Sequence, residues 1–387
     1  MSTRGPMQVS SNGLVFYYDT FNNKSYKGQP TTNYMPYPYA AYNGATLALG
    51  DYNYANNGVT YTLDTTVPTP FGDYNGVMKY YTGNSDYKYF SVKASSLTSG
   101  TYTFSYYARL AAGSSNLNNQ QLWRDNVTDR SVTGDWNPTY TTEWKRYVTT
   151  GPVDTVGATG NSLNYFPIHS GTLTGGFTVY FWGFQLEKLS YATPFTAGTR
   201  SNTNGLVDLV GSNTINLTNA GFDSSANLTF DGSTKYIDCS GLTKAATCTF
   251  EAWAKTTTLA NSPMLFNAGN NGAGPDLFFY SNQIHWNTWD GGSNPFGSTP
   301  SSVTNGKYHH YVVVNDAGSN AKLYYDGSLL GTATYRTAAA TTRLIVGGEP
   351  AGYLWTGDIP LFSVYSRALT ASEVLQNFNK TKSRYGY

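Results

Sequence analysis

Strand signals recur along this chain at short intervals, and helical periodicity is nearly absent. Thr101-Tyr102-Thr103-Phe104-Ser105-Tyr106-Tyr107-Ala108 alternates polar and apolar residues, as does Tyr87-Lys88-Tyr89-Phe90-Ser91-Val92. Residues 60–63, 76–81, 144–149 and 178–186 continue the series. Period-2 alternation marks half-buried strands. Many such strands, bounded by Gly, Asn, Asp and Ser, predict an all-β chain of sandwich or jelly-roll type.

The 387 residues suffice for two domains. Charged residues make up 12 %, against roughly 25 % in an ordinary soluble domain. So little charge predicts broad burial between domains or subunits, and it argues against disorder, as does the 16 % aromatic content. The net charge is +1 and no basic run is present, so no nucleic-acid partner is expected. No apolar run approaches the ~20 residues that span a bilayer, so no membrane insertion is expected. Residues 1–11 lack a hydrophobic signal core, which predicts synthesis in a cytosol without secretory processing. Cys239 and Cys248 flank a short polar segment. Two free, half-buried thiols are the expectation, with a disulfide as the alternative.

Residues 35–198 resemble carbohydrate-binding modules of the galactose-binding-like jelly-roll type. The resemblance rests on residues 99–109, on Glu143-Trp144-Lys145-Arg146-Tyr147 and on a last strand ending Gln185-Leu186-Glu187. The run from Gln185 through Ala192-Thr193-Pro194-Phe195 is similar to an exit segment of phage fibre and baseplate proteins. By physical chemistry alone it marks only a boundary near residue 198.

From about residue 205 onward the chain resembles laminin-G-like, concanavalin-A-like sandwiches. Five segments carry the resemblance in order: 226–237, 249–255, 306–314, 322–331 and 357–374. Asp326-Gly327 predicts a type I′ hairpin. Thr370 and Glu373 form a capping-box pattern that predicts one short C-terminal helix to about Thr381. The fold class expected is therefore all-β, with two β-sandwich or jelly-roll domains.

Gly13 to Asp19 also resembles a laminin-G first strand, which in that fold pairs with the last. The domain reading that follows is an arm at 1–12, and a first strand plus linker at 13–34. An inserted jelly roll at 35–198 and a laminin-G-like sandwich at 199–387 complete it. Loop insertions cost little entropy, and the alternative is a separate N-terminal arm.

Concanavalin-A-like sandwiches include glycoside hydrolases, which need two carboxylates across a cleft. The five glutamates, Glu143, Glu187, Glu251, Glu349 and Glu373, are far apart in sequence. Asp73, Asp86, Asp125 and Asp129 suit turns. His309 and His310 fall on a strand of the family pattern, His169 and His285 elsewhere. No nucleophile elbow or P-loop is present, so no enzyme is expected and no catalytic residue is assigned.

Sugar sites stack pyranose rings on aromatic platforms. Trp123, Trp136, Trp286, Trp289, Tyr353 and Trp355 lie near Gly-, Asn- and Asp-rich turns and are the carbohydrate-binding candidates. Trp286 and Trp289 are three apart, which puts one of them in the core. No cofactor is expected. The resemblance leaves calcium open, through Asp and backbone oxygens at the rim, but no Asp cluster here is dense enough to assign a site.

Together these resemblances imply a virion protein of a tailed phage, assembled in the host cytoplasm. The first expectation is a host-recognising fibre or adhesin, a homo-oligomer and in particular a trimer. It would contact other virion proteins and a host surface glycan. The alternative is a purely structural protein that decorates the capsid or joins tail parts.

Overall fold

The computed structural model describes residues 10–35, 60–81, 88–111, 117–118, 120–125, 132–135, 138–154, 162–170, 177–211, 213–243, 245–269, 275–288, 292–335 and 342–387. The chain is all-β, and among the described residues it has one α-helix, Ala371–Thr381. It divides into two compact units, one of residues 1–30 with 201–387 and one of residues 31–200.

The first unit is a two-sheet sandwich. One sheet runs in the order Gly221–Phe222, Leu228–Asp231, Thr356–Tyr365, Cys248–Lys255, Tyr308–Asn315, Asn320–Tyr325, Ser328–Thr334. Leu14–Asp19 pairs antiparallel with Thr356–Tyr365, placing Phe16 opposite Val364 and Asp19 opposite Leu361. The second sheet has seven strands: Thr214–Asn216, Ile237–Ser240, Leu344–Val346, Met264–Asn267, Asp276–Tyr280, Gln283–Thr288 and Gly292–Ser298. Alternation sends Phe16, Phe250, Leu277, Phe279, Trp286, Val346 and Phe362 into one core between the sheets. Cys239 and Cys248 join that core as free, fully buried thiols.

Cys248–Lys255 is buried along nearly all its length because both its faces are covered. Phe250 and Ala252 face the core, while Trp253 lies on the far side under the C-terminal segment. The helix there starts as the sequence pattern predicts, with a complete capping box between Thr370 and Glu373. Trp253 stacks on Phe378 and on Tyr385, at 5.7 and 4.2 Å between ring centroids. The Asp326-Gly327 hairpin also forms, with φ of 50° and 79°. A Cβ on Gly327 would stand 2.9 Å from Phe378, so glycine serves both the turn and the helix seat.

The second unit sets a six-stranded sheet against a three-stranded one. Its core is rich in tyrosine, with Tyr102, Tyr106, Tyr140, Tyr147 and Tyr165 fully buried. A buried hydroxyl needs a partner. Tyr106 and Tyr140 share a hydrogen bond of 2.7 Å, and Tyr140 donates to the Pro167 carbonyl at 2.7 Å. Tyr102 donates to Thr98 O, and Tyr165 bonds Thr149.

The Gln185–Phe195 segment has a mechanical explanation here. Glu187, fully buried, accepts from the Thr193 N–H at 3.0 Å, the Thr193 hydroxyl at 2.6 Å and Gln185 Nε2 at 2.6 Å. Gln185 Oε1 accepts from Thr196 N at 2.7 Å. These bonds fold the departing chain back over its own last strand. Asn33 then ties the entering chain to the same strand, through Phe184 O and Leu186 N, and to the exit at Thr196 O. Thr32 pairs with Thr199, so the unit's two ends lie side by side.

Candidate functional site

The outer face of the seven-stranded sheet collects the unexplained chemistry of the first unit. In Asp276–Tyr280 the side chains alternate: Leu277 and Phe279 join the core, which turns Asp276, Phe278 and Tyr280 to the other face. Register then sets rows across the strands. Asp276 lies opposite Asn267, Asn267 opposite Ile345, and Ile345 opposite Asp238. The next row runs Met264, Phe278, His285. Phe278 packs on His285 at 4.9 Å, and Tyr280 is 55 % exposed. Asp276 and Tyr280, four residues apart, are separated by roughly 13 Å along the strand.

The polar row has an unusual member. Asp276 is fully buried, and neither of its carboxylate oxygens makes a hydrogen bond among the described residues. Burial holds its pKa well above the ordinary carboxylate range, and the nearby Glu349 pushes it the same way. Glu349 accepts a hydrogen bond from Asn267 Nδ2 at 3.1 Å. Its own pKa is raised by burial, against the lowering effect of Arg343. Asn267 Oδ1 accepts from Gly269 N at 2.8 Å. Opposite Glu349 in a short hairpin stands Tyr353.

Two of the six aromatics singled out by sequence, Trp136 and Trp289, lie outside the described residues. Three others are core residues, which corrects the expectation of sugar platforms. Trp123 is fully buried, and its indole N–H donates to Pro152 O at 2.9 Å. Trp286 is fully buried and donates to Asn315 Oδ1 at 3.2 Å. Trp355 is fully buried and donates to Lys255 O at 3.2 Å. Each indole has one N–H to satisfy and a large apolar ring, and both demands are met inside the sandwiches. A stacking platform needs a free ring face, and these three have none. Tyr353 is 36 % exposed.

Sequence reasoning passed over Asp276, Asn267, Phe278 and Tyr280. The available signal was an acid opening the run Asp276-Leu277-Phe278-Phe279-Tyr280, whose alternation puts a carboxyl and two aromatics on one face.

Another buried acid of this unit is fully used. Glu251 accepts from His310 Nε2 at 2.8 Å, Ser363 Oγ at 3.1 Å, Tyr365 OH at 3.1 Å and Asn377 Nδ2 at 3.0 Å. Four donors on one carboxylate anchor the helix to the sheet. His309, also buried, bonds Asp326 at 2.8 Å. Among the described residues no three His, Cys, Asp or Glu converge on a common point for a metal ion.

Residues 229–375 match the model of the concanavalin A-like lectin/glucanases superfamily. A comparison with curated proteins gave no match. Among solved structures, the botulinum neurotoxin serotype D binding domain is similar at 17 % identity and a TM-score of 0.37, over 46 % of this chain and 50 % of that one. The botulinum neurotoxin type G receptor binding domain is similar at 19 % identity and a TM-score of 0.35, over 46 % and 49 %. The binding domain of Paraclostridial Mosquitocidal Protein 1 is similar at 16 % and 0.37, over 45 % and 49 %. The chain thus spans about half the length of each. None of these three is a phage virion protein.

Proposed function

From the concanavalin A-like domain at residues 229–375, we infer that the chain is a non-enzymatic glycan-binding protein. The observation that carries this reading is the outer face of the seven-stranded sheet. It presents the exposed Tyr280 and the half-buried Phe278 on one face. Exposed aromatic rings are the platforms on which a sugar ring stacks. Against hydrolysis stands the burial of Asp276: a carboxyl closed from solvent cannot reach a glycosidic oxygen.

The finer proposal is a host-recognising fibre or adhesin of a tailed-phage virion, acting as a homotrimer. It rests on the resemblance of residues 35–198 and of the Gln185–Phe195 segment described above. Its exit clamp is a sturdy way to mount one module on another chain segment. Screening the full chain on a glycan array tests the binding role, with Tyr280→Ala and Tyr353→Ala as companions. Glycan binding that either substitution weakens supports the reading. Absence of binding to any glycan overturns it.

A second reading, a structural virion protein without glycan binding, is favoured by one observation. Trp123, Trp286 and Trp355 serve the cores and not the surface. Cryo-electron microscopy of particles containing the chain separates the two. Tyr280 and Tyr353 facing outward at a tip supports adhesion, and their burial between subunits supports architecture.

A further inference from the structure

Arg109, in the second unit, has a guanidinium that no oxygen answers. Arg146 and Arg200 of the same unit, and Arg343, Arg367 and Arg384 of the first, each donate to a carbonyl or carboxylate oxygen. Arg109 donates to none among the described residues, and its Nε is buried without a partner. It lies instead between two rings, its guanidinium carbon 5.4 Å from the Trp144 centroid and 5.5 Å from that of Tyr180. Ring faces attract the charge but offer no oxygen lone pair, so the N–H donors stay unused.

Register puts a second cation in the same row. Tyr180 stands opposite Arg109 on one side and Lys79 on the other. Met78, Tyr80, Ala108 and Leu110 turn to the core, so Lys79 and Arg109 share the outer face of the six-stranded sheet. They are two strand spacings apart, roughly 10 Å. A nearby acid, Asp64, is taken up by Thr66, which donates to it from its amide at 2.8 Å and its hydroxyl at 2.6 Å.

We propose that Arg109 and Lys79 bind a carboxylate-bearing polysaccharide on this face, with the terminal nitrogens of Arg109 gripping one carboxylate as a fork. Because Nε is buried, the terminal nitrogens are the end that a ligand reaches. Two parallel N–H groups there match the two oxygens of a carboxylate. Two separated cations suit a chain of repeated charges better than a single small anion. Half-buried Trp144, beside the guanidinium, gives a sugar ring an apolar surface. The choice of a sugar as carrier rests on the glycan-binding reading, while the need for a carboxylate rests on Arg109 and Lys79.

The full chain is titrated by calorimetry with oligogalacturonate and oligomannuronate, with their methyl esters, with a sulfated oligosaccharide and with polyglutamate. At least one oligouronate binds, more weakly as NaCl is raised, and its methyl ester does not. Arg109→Lys keeps a cation between the rings but loses the fork, and it weakens binding about tenfold or more. Lys79→Ala weakens binding less and reduces its salt dependence, and Tyr280→Ala in the other unit leaves it unchanged. The ester comparison uses the wild type, so it holds whatever the variants do to folding. The proposal is overturned by failure of both oligouronates to bind, by equal binding of the methyl esters, or by binding that survives Arg109→Lys and Lys79→Ala together. Equal binding of the sulfated oligosaccharide or of polyglutamate also overturns it, in favour of a tetrahedral anion or an acidic peptide. If other glycans bind in a Tyr280-dependent way while the oligouronates do not, this proposal fails and the glycan-binding reading stands.

Discussion

Arg384 grips Asp19 with both terminal nitrogens, each 2.7 Å from a different carboxylate oxygen. Asp19 is 2 % exposed and ends the first strand, and Arg384 lies three residues from the C-terminus. The pair therefore closes the two extremities of the first unit on each other. Arg384 also lies over the rings of Phe21 and Tyr385, which shield the bond from water. Replacing Arg384 by Ala leaves a buried carboxylate without its cation and should cost about 3 kcal/mol, as breaking a buried pair does. The double variant Asp19→Asn, Arg384→Ala should recover part of that loss. Urea unfolding of the four proteins in the cycle measures it.

Glu187 should behave as the clasp of the second unit. Glu187→Ala strands the Thr193 N–H and leaves the Gln185 amide only its bond to the Thr193 segment. The expected loss is about 2–4 kcal/mol. Faster proteolytic cleavage between residues 188 and 198 should accompany it, because the exit chain loses its hold on the last strand. Cleavage unchanged from the wild type would mean that the segment's other ties, Gln185 and Asn33 to Thr196 and Phe195 packed on Trp182 at 4.6 Å, suffice to hold it.

Acid should loosen the helix cap in a defined window. Hydrogen bonds from Arg367 hold the Glu373 carboxyl down at about 2, helped by the bonds from Thr370. A folded-state value below the unfolded one means that the stabilisation is complete above about 4.5 and is lost as pH falls toward 2. The stability difference between wild type and Glu373→Gln should thus be constant above pH 5 and vanish by about pH 2. Thermal melts of both proteins across that range test it. The raised carboxyls of Asp276 and Glu349 act in the opposite sense, so the comparison must be made against the variant and not read from the wild type alone.

The placement of both ends of residues 31–200 side by side makes a further expectation concrete. We propose that this unit is an insertion into the first. Joining Pro30 to Ser201 through a short Gly-Ser linker should leave residues 1–30 and 201–387 able to fold, since Leu14–Asp19 still reaches Thr356–Tyr365. A cooperative melt and a β-type circular dichroism spectrum are the expected outcome. An aggregated or unfolded product would sink the insertion reading.

Much of the architecture could be read directly from residue order. Alternation in Thr101–Ala108 named the faces of a core strand, and Thr370 with Glu373 marked the start of the helix. Asp326-Gly327 marked a hairpin. Each is a local pattern, in which the backbone conformation of a few consecutive residues is set by their own side chains. The candidate face on the seven-stranded sheet was not legible in the same way. Trp123, Trp286 and Trp355 stood in polar surroundings in sequence, yet the sheets close over them. Asp276 and Glu349 are 73 positions apart, with nothing local to join them. Whether an aromatic ring is a platform or a core residue depends on which strand lies opposite it. Whether two acids form a site depends on the register of the strands between them. Those are long-range facts, decided when the sheets pair and stack, and only the tertiary structure contains them.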